Sequence, residues 1–201
     1  MGRCVYQPLL IEHLPYAQVM LHEQDSAMVL RDPLNPHALY RLDLTTGKVV
    51  EEYKISEDID VDNFLPGSKF AQTTAEQTFI GHSHNSVFRI DPRLSGSKLV
   101  QDQHKQYKTK NDFSAAATTE SGHLVVASNK GDLRLYDALG KNAKTALPAL
   151  GDAIIGVDVT KDGTFLIATT KTYLLLIDTT IGDGRYQGSS GCERFQVISL
   201  Q

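Results

Sequence analysis

Four times along the chain a short apolar run closes on aspartate and meets a glycine within five residues. The runs are LYRLDL (39–44), VFRIDP (87–92), LRLYDA (133–138) and LLLIDT (174–179). Their aspartates, Asp43, Asp91, Asp137 and Asp178, stand 48, 46 and 41 residues apart, and Gly47, Gly96, Gly140 and Gly182 follow them. A unit of this length, built from several short strands, cannot bury its apolar faces alone and must stack on its neighbours. A period of about 40–45 residues with that content is the pattern of β-propeller blades.

The clearest unit runs from Phe113 to Leu147. Phe113–Thr118 is small and β-branched, Glu120–Gly122 supplies a turn, and Leu124–Ser128 is a compact apolar strand. Asn129, Lys130 and Gly131 make the next turn, because asparagine and glycine tolerate positive φ. Leu133–Asp137 then closes a three-stranded meander, with room for a fourth strand after Gly140. The following unit repeats the order with IIGVDV (154–159), FLIATT (165–170) and YLLLID (173–178), and Asp162-Gly163 marks a hairpin. A looser copy reads VDNFLP (61–66), QTFIGH (77–82) and SVFRID (86–91), and a partial one AMVLRD (27–32), ALYRLD (38–43) and KVVEEYKI (48–55). Only Leu9–Glu23 suggests a short helix. The reading is all-β: about four WD40-like blades of an expected seven, hence an open or incomplete propeller. It divides the chain into a lead-in segment (1–25), blades (26–181) and a divergent tail (182–201).

The blades are not ordinary WD repeats. The aromatic slot before each strand-ending aspartate holds Leu42, Ile90, Tyr136 and Ile177, and the slot six residues earlier holds Pro36, His84, Lys130 and Lys171. The chain has no tryptophan, and Gly122-His123 lies before the second strand of its unit rather than before the first. Without the usual polar tetrad, blade cohesion is expected to rest on apolar stacking.

Charge narrows the range of partners. A net charge of −4 argues against nucleic acid, whose non-specific binding needs many lysine and arginine contacts. No segment reaches the ~20 apolar residues of a membrane-spanning helix. The two cysteines, Cys4 and Cys192, give no disulfide framework, so a reducing, cytoplasmic setting is expected.

With the repeats aligned, six phrases closely resemble the C-terminal propeller region of one eukaryotic family. They are VMLHEQDSAMVL, LYRLDLTTGKVVEEYKI, FRIDPRLSG, KTKNDFSAAATTESG, NAKTALPALGD and KTYLLLIDT, spanning Val19 to about Thr179. The family comprises the fungal vacuolar import and degradation protein twenty-seven and the plant defective-embryo-and-meristems (DEM) protein. The resemblance implies a seven-bladed WD-like scaffold of the cytoplasm, and also of the nucleus. It points to regulated protein turnover in fungi, to embryo and meristem development in plants, and to a small GTPase of nuclear transport as a partner. It supplies no catalytic, cofactor or metal residue. Seven blades of about 40 residues would need nearly 300 residues, so a truncated product with open blade edges, prone to self-association, is the expectation.

Several groups invite chemistry. His82 and His84 in GHSHNS make an incomplete metal pair and read as surface turn residues. GDGRYQG (182–188) follows a strand, but its third glycine is misplaced for a dinucleotide loop and no βαβ unit surrounds it. Ser114, Ser189 and Ser190 lack a nucleophile elbow. Glu57, Asp58, Asp60 and Asp62 read as a solvated loop that could meet a cation or a basic partner. In NAKTALPALGD, Leu147, Pro148 and Leu150 suggest an outer strand packed on its blade, or else a docking edge.

HKQYKTKND (104–112) gathers Lys105, Lys108 and Lys110 around Tyr107, the residues expected to contact an acidic protein partner. A propeller enzyme or small-molecule binder would instead need convergent ionisable groups on inner strands. Asp158 is the one such charge the pattern places there. A non-enzymatic interaction scaffold is therefore the leading reading, with the channel binder as the alternative.

Overall fold

The computed structural model describes residues 18–149, 151–180 and 190–199. They form four antiparallel sheets, each a meander of four consecutive strands. The first holds β1 (Gln18–His22), β2 (Ala27–Arg31), β3 (Ala38–Asp43) and β4 (Lys48–Lys54). The second holds β5 (Asn63–Pro66), β6 (Phe79–His82), β7 (Ser86–Ile90) and β8 (Leu99–Gln106). The third holds β9 (Phe113–Thr118), β10 (Leu124–Ser128), β11 (Leu133–Tyr136) and β12 (Thr145–Leu147). The fourth holds β13 (Gly156–Val159), β14 (Phe165–Thr169), β15 (Tyr173–Thr180) and β16 (Ser190–Ser199).

These are propeller blades. The first strands of successive sheets meet one another, β1 against β5, β5 against β9 and β9 against β13, so they line the inside of the arc. Because strand side chains alternate between faces, the second and third sheets each pack on two neighbours at once. In β10, Leu124 and Val126 turn back to the second blade while Val125 and Ala127 turn forward to the fourth. In β6, Ile80 meets the third blade and Phe79 the first. Three apolar layers result, between blades one and two, two and three, and three and four, and none among the described residues joins the fourth to the first. The arc is open.

The repeated aspartate-glycine phrase is the turn from the third strand of a blade to its outer strand. Asp43 Oδ1 accepts hydrogen bonds from the backbone N–H groups of Thr45 and Thr46, at 2.7 and 3.2 Å. Asp91 accepts from the Arg93 N–H at 3.0 Å and from its guanidinium at 2.9 and 2.8 Å. Gly140 shows why glycine ends the phrase. Its φ is +79°, and a Cβ there would run into the backbone carbonyl of Asp102 on the neighbouring blade. Gly182 lies outside the described residues. A second close approach is at Gly81, whose missing Cβ leaves room for the Phe88 ring; a methyl would sit 2.5 Å from Phe88 Cε2.

Two expectations change. The helix expected over Leu9–Glu23 is not found where that stretch is described: Gln18–His22 is β1, paired in full with β2. Tertiary pairing overrides the weak helical pattern, since Met20 and His22 alternate inward while Val19 and Leu21 alternate outward. The first blade, partial in sequence, is thereby complete. Blade strands also lie on both sides of the span 26–181, β1 before it and β16 after it. The segment expected to form an outer strand does so, as β12 pairs with β11 and Leu147 is buried between the third and fourth blades. Leu150 lies outside the described residues.

Candidate interaction surface

The connectors that carry the chain from one blade's outer strand to the next blade's inner strand share a face with the β2–β3, β6–β7 and β10–β11 turns. Backbone bonds tie them together. Ile55 N–H donates to His37 O (3.0 Å), Tyr107 N–H to Asn85 O (2.9 Å), Phe113 N–H to His84 O (2.9 Å) and Asn129 N–H to Asp112 O (2.8 Å). This face carries both charged stretches noted in the sequence.

The basic connector is held from beneath by aromatic and polar contacts. The Tyr107 and Tyr136 hydroxyls lie 2.8 Å apart, and the Tyr107 ring meets Phe113 edge-on at 5.9 Å. Arg134 lies over the Tyr107 ring at 4.7 Å and over Phe113 at 5.7 Å. Its guanidinium also donates to Asp132 at 3.2 Å and to Asn111 Oδ1 at 2.8 Å. The Asn111 N–H donates to Asn85 Oδ1 at 2.6 Å, and the Ser128 hydroxyl donates to Asp132. Burial and the Tyr107 hydroxyl push the Tyr136 phenol well above its ordinary range.

Tyr107 is thus half-buried and spent on this network, whereas Lys108 and Lys110 are exposed and the half-buried Lys105 lies 5.6 Å from the centre of the Tyr107 ring. The Lys130 ammonium bonds the Lys110 carbonyl and adds a fourth cation. The sequence pattern brings the lysines together but misses Arg134 and Asn111, which hold them. No local pattern ties Arg134 to Tyr107, which is 27 residues away in sequence.

The acidic connector is its neighbour. Glu57, Asp58 and Asp60 are exposed, and burial pushes the Asp62 carboxyl up while nearby His84 pulls the other way. His84 bridges the two connectors, 3.6 Å from Asp62 and 3.2 Å from Asp112. His82 departs from the surface position expected of it. It is fully enclosed, neither ring nitrogen has a hydrogen-bond partner, and burial holds its pKa at about 4. The polar surroundings in sequence conceal this, because its enclosure comes from the stacking of the third blade. Among the described residues no set of three histidine, cysteine, aspartate or glutamate side chains is placed to hold a metal ion.

The opposite face is crossed by the long β5–β6 loop, residues 67–78. The Lys69 N–H donates to Thr119 O on the third blade at 2.9 Å. Its ammonium reaches the fourth blade, bonding Asp158 Oδ1 at 2.8 Å and the Val159 carbonyl. Asp158 therefore has a partner, and among the described residues no other inner-strand carboxylate or cation converges on it. Ser114 Oγ donates to Ile154 O at 2.5 Å, a bond between blades. GDGRYQG and Ser189 lie outside the described residues.

With four WD40-like blades and their connectors placed, the family profile described as the VID27 C-terminal WD40-like domain matches residues 11–197. The chain belongs to this family. It is 61% identical over 178 residues to Vacuolar import and degradation protein 27 of Schizosaccharomyces pombe, covering 89% of the chain and 22% of that protein. The Saccharomyces cerevisiae protein of the same name is 44% identical over 173 residues, 86% of the chain and 22% of the relative. The chain thus spans about a fifth of the length of these relatives. Among solved structures, the Pan2 WD40 domain of Neurospora crassa superposes with a TM-score of 0.60 at 16% identity, over 88% of this chain and 51% of that one. That likeness establishes the WD40 fold alone. No helix among the described residues is long and apolar enough to cross a membrane.

Proposed function

We propose that these blades act as a non-enzymatic protein-interaction module, and that the stretch 104–112, the end of β8 and the connector after it, receives an acidic segment of a partner. The observation that carries this reading is the contrast within the connector. Its backbone and Tyr107 are fixed by Arg134, Asn111 and Tyr136, while Lys108 and Lys110 are exposed beside that support, Lys105 lies over the Tyr107 ring and Lys130 is tied to the Lys110 carbonyl. Cations on a rigid platform lose little side-chain and loop entropy on binding, and their charge speeds encounter with an acidic surface. Family membership supports a scaffold in regulated protein turnover. The resemblance to the plant DEM protein extends the reading to development, and a small GTPase is one partner class to test. We place the module in the cytoplasm, with access to the nucleus.

The test is affinity capture with this chain, comparing wild type with the triple charge reversal Lys105→Glu, Lys108→Glu and Lys110→Glu. Loss of a salt-sensitive subset of partners is the expected result. An unchanged partner set removes the connector from the account.

A further inference from the structure

Beside the β5–β6 loop, a cavity of about 310 Å³ lies between the second and third blades. Its floor is the apolar layer that joins those blades, with Leu124 and Tyr136 at its surface. Arg89 of β7 and Gln103 of β8 form one wall, and the turns holding Ser121 and Leu139 form the other. The two walls are set hard against each other below the cavity: a Cβ on Gly140 would strike the Asp102 carbonyl and lie 3.3 Å from Gln103 Cα. The cleft is therefore shaped before any ligand arrives, which lowers the ordering cost of binding.

Arg89 gives the cavity its chemistry. Its Nη1 donates to Thr78 Oγ1 at 2.9 Å and lies 3.5 Å from Glu76 Oε1. On the other edge of the guanidinium, Nε is buried without a partner among the described residues, and Nη2 makes no hydrogen bond to them. Nε–H and Nη2–H point the same way from a rigid plane, at the spacing that two carboxylate oxygens match. Gln103 and Ser121 border the same space with an amide and a hydroxyl.

Charge narrows the kind of anion. Among the described residues Arg89 is the one cation lining the cavity, and Glu76 already offsets part of its field. Asp137, the one lining carboxylate among them, is matched by Lys144 at 3.0 Å. A single, partly neutralised cation suits a singly charged carboxylate better than a doubly charged phosphate. Leu124, Ala138 and Leu139 lie alongside, where an aliphatic arm on that carboxylate would rest.

We propose that this cleft binds an aliphatic carboxylate, with the Nε–Nη2 edge of Arg89 as its bidentate anchor and Gln103 and Ser121 as flanking donors. A small free acid and a glutamate set among apolar residues of a protein segment both offer that chemistry. The site is separate from the basic connector, whose charge reversal should leave it unchanged.

The experiment is an NMR titration of the isotope-labelled whole chain, read through the Arg89 Nε–H and the Ser121 and Gly122 amide resonances. Hexanoate is the free acid and the capped peptide acetyl-Leu-Glu-Leu-amide is the segment. Saturable movement of these resonances is expected, and whichever probe saturates at the lower concentration names the source. Acetyl-Leu-Gln-Leu-amide keeps the apolar arms without the carboxylate and should not move them. Arg89→Lys keeps the charge but removes the fork, and should weaken binding about tenfold or more, read at the two amides. Gln103→Glu sets a like charge beside the ligand and should weaken binding as much while Arg89 stays in place. Thermal unfolding checks that each variant folds, and Gln103→Glu decides if Arg89→Lys does not. Resonances unmoved by both acids, equal movement by the glutamine peptide, or undiminished binding by folded Gln103→Glu overturns the proposal.

Discussion

The Lys69 ammonium lies 2.8 Å from Asp158 Oδ1, joining a loop of the second blade to the inner strand of the fourth across 89 residues of sequence. The same ammonium bonds the Val159 carbonyl, so Lys69 has two acceptors where Asp158 has one cation. Asp158 is 68% exposed and the lysine 21%, so water screens the carboxylate more than the ammonium.

Asp158→Asn should cost no more than about 0.5 kcal/mol, and Lys69→Ala about 1 kcal/mol, in urea unfolding. The order matters more than the size. Equal losses would mean that the bond to Val159 O contributes nothing.

Burial holds His82 at about 4, below its ordinary 6.5. The unfolded chain therefore takes up this proton first as pH falls. The stability tied to the neutral ring is complete above about 6.5 and is lost progressively down to about 4, by at most roughly 3 kcal/mol. Burial also lowers His22 and His104, which act in the same direction, while the raised Asp62 carboxyl acts in the opposite direction, above its ordinary 3.8. Replacing His82 with leucine should flatten the profile between pH 6.5 and 4; a slope identical to wild type would contradict this.

Tyr107→Phe leaves the buried Tyr136 hydroxyl without its partner and should cost about 1–2 kcal/mol. Arg134→Lys should cost about 2 kcal/mol, because an ammonium cannot stack on Tyr107 and also bond Asp132 and Asn111. Chemical denaturation measures both. A neutral Arg134→Lys would show that the lysine platform does not depend on the guanidinium fork.

Gly47→Ala and Gly140→Ala separate backbone strain from steric contact. Both glycines have positive φ, +64° and +79°, but a Cβ on Gly47 meets nothing within 4 Å whereas one on Gly140 strikes the Asp102 carbonyl. The first substitution should cost about 1 kcal/mol in thermal or urea unfolding and the second clearly more, about 3 kcal/mol. Similar losses would rule out close approach as the reason for Gly140.

Much of the blade structure was legible in sequence. Phe113–Thr118 and Leu124–Ser128 fold as strands over those residues, because period-two alternation and Gly-Asn-Asp turns are local signals. The missed β1 carries both patterns weakly and is decided by its pairing with β2. At the candidate surface the lysine cluster was visible as composition. The partners of Tyr107 were not, since Tyr136 and Arg134 lie 29 and 27 residues away and no local pattern marks them.

By itself the sequence determined the repeat, the turn chemistry of Asp43 and Asp91, and which side chains of each strand share a face. Those properties depend on dihedral preference and alternation within a few residues. Only the tertiary structure decided that His82 is enclosed and that Asp158 meets Lys69. Each of these depends on how separate sheets stack, and stacking brings together residues whose sequence separation carries no record of their contact.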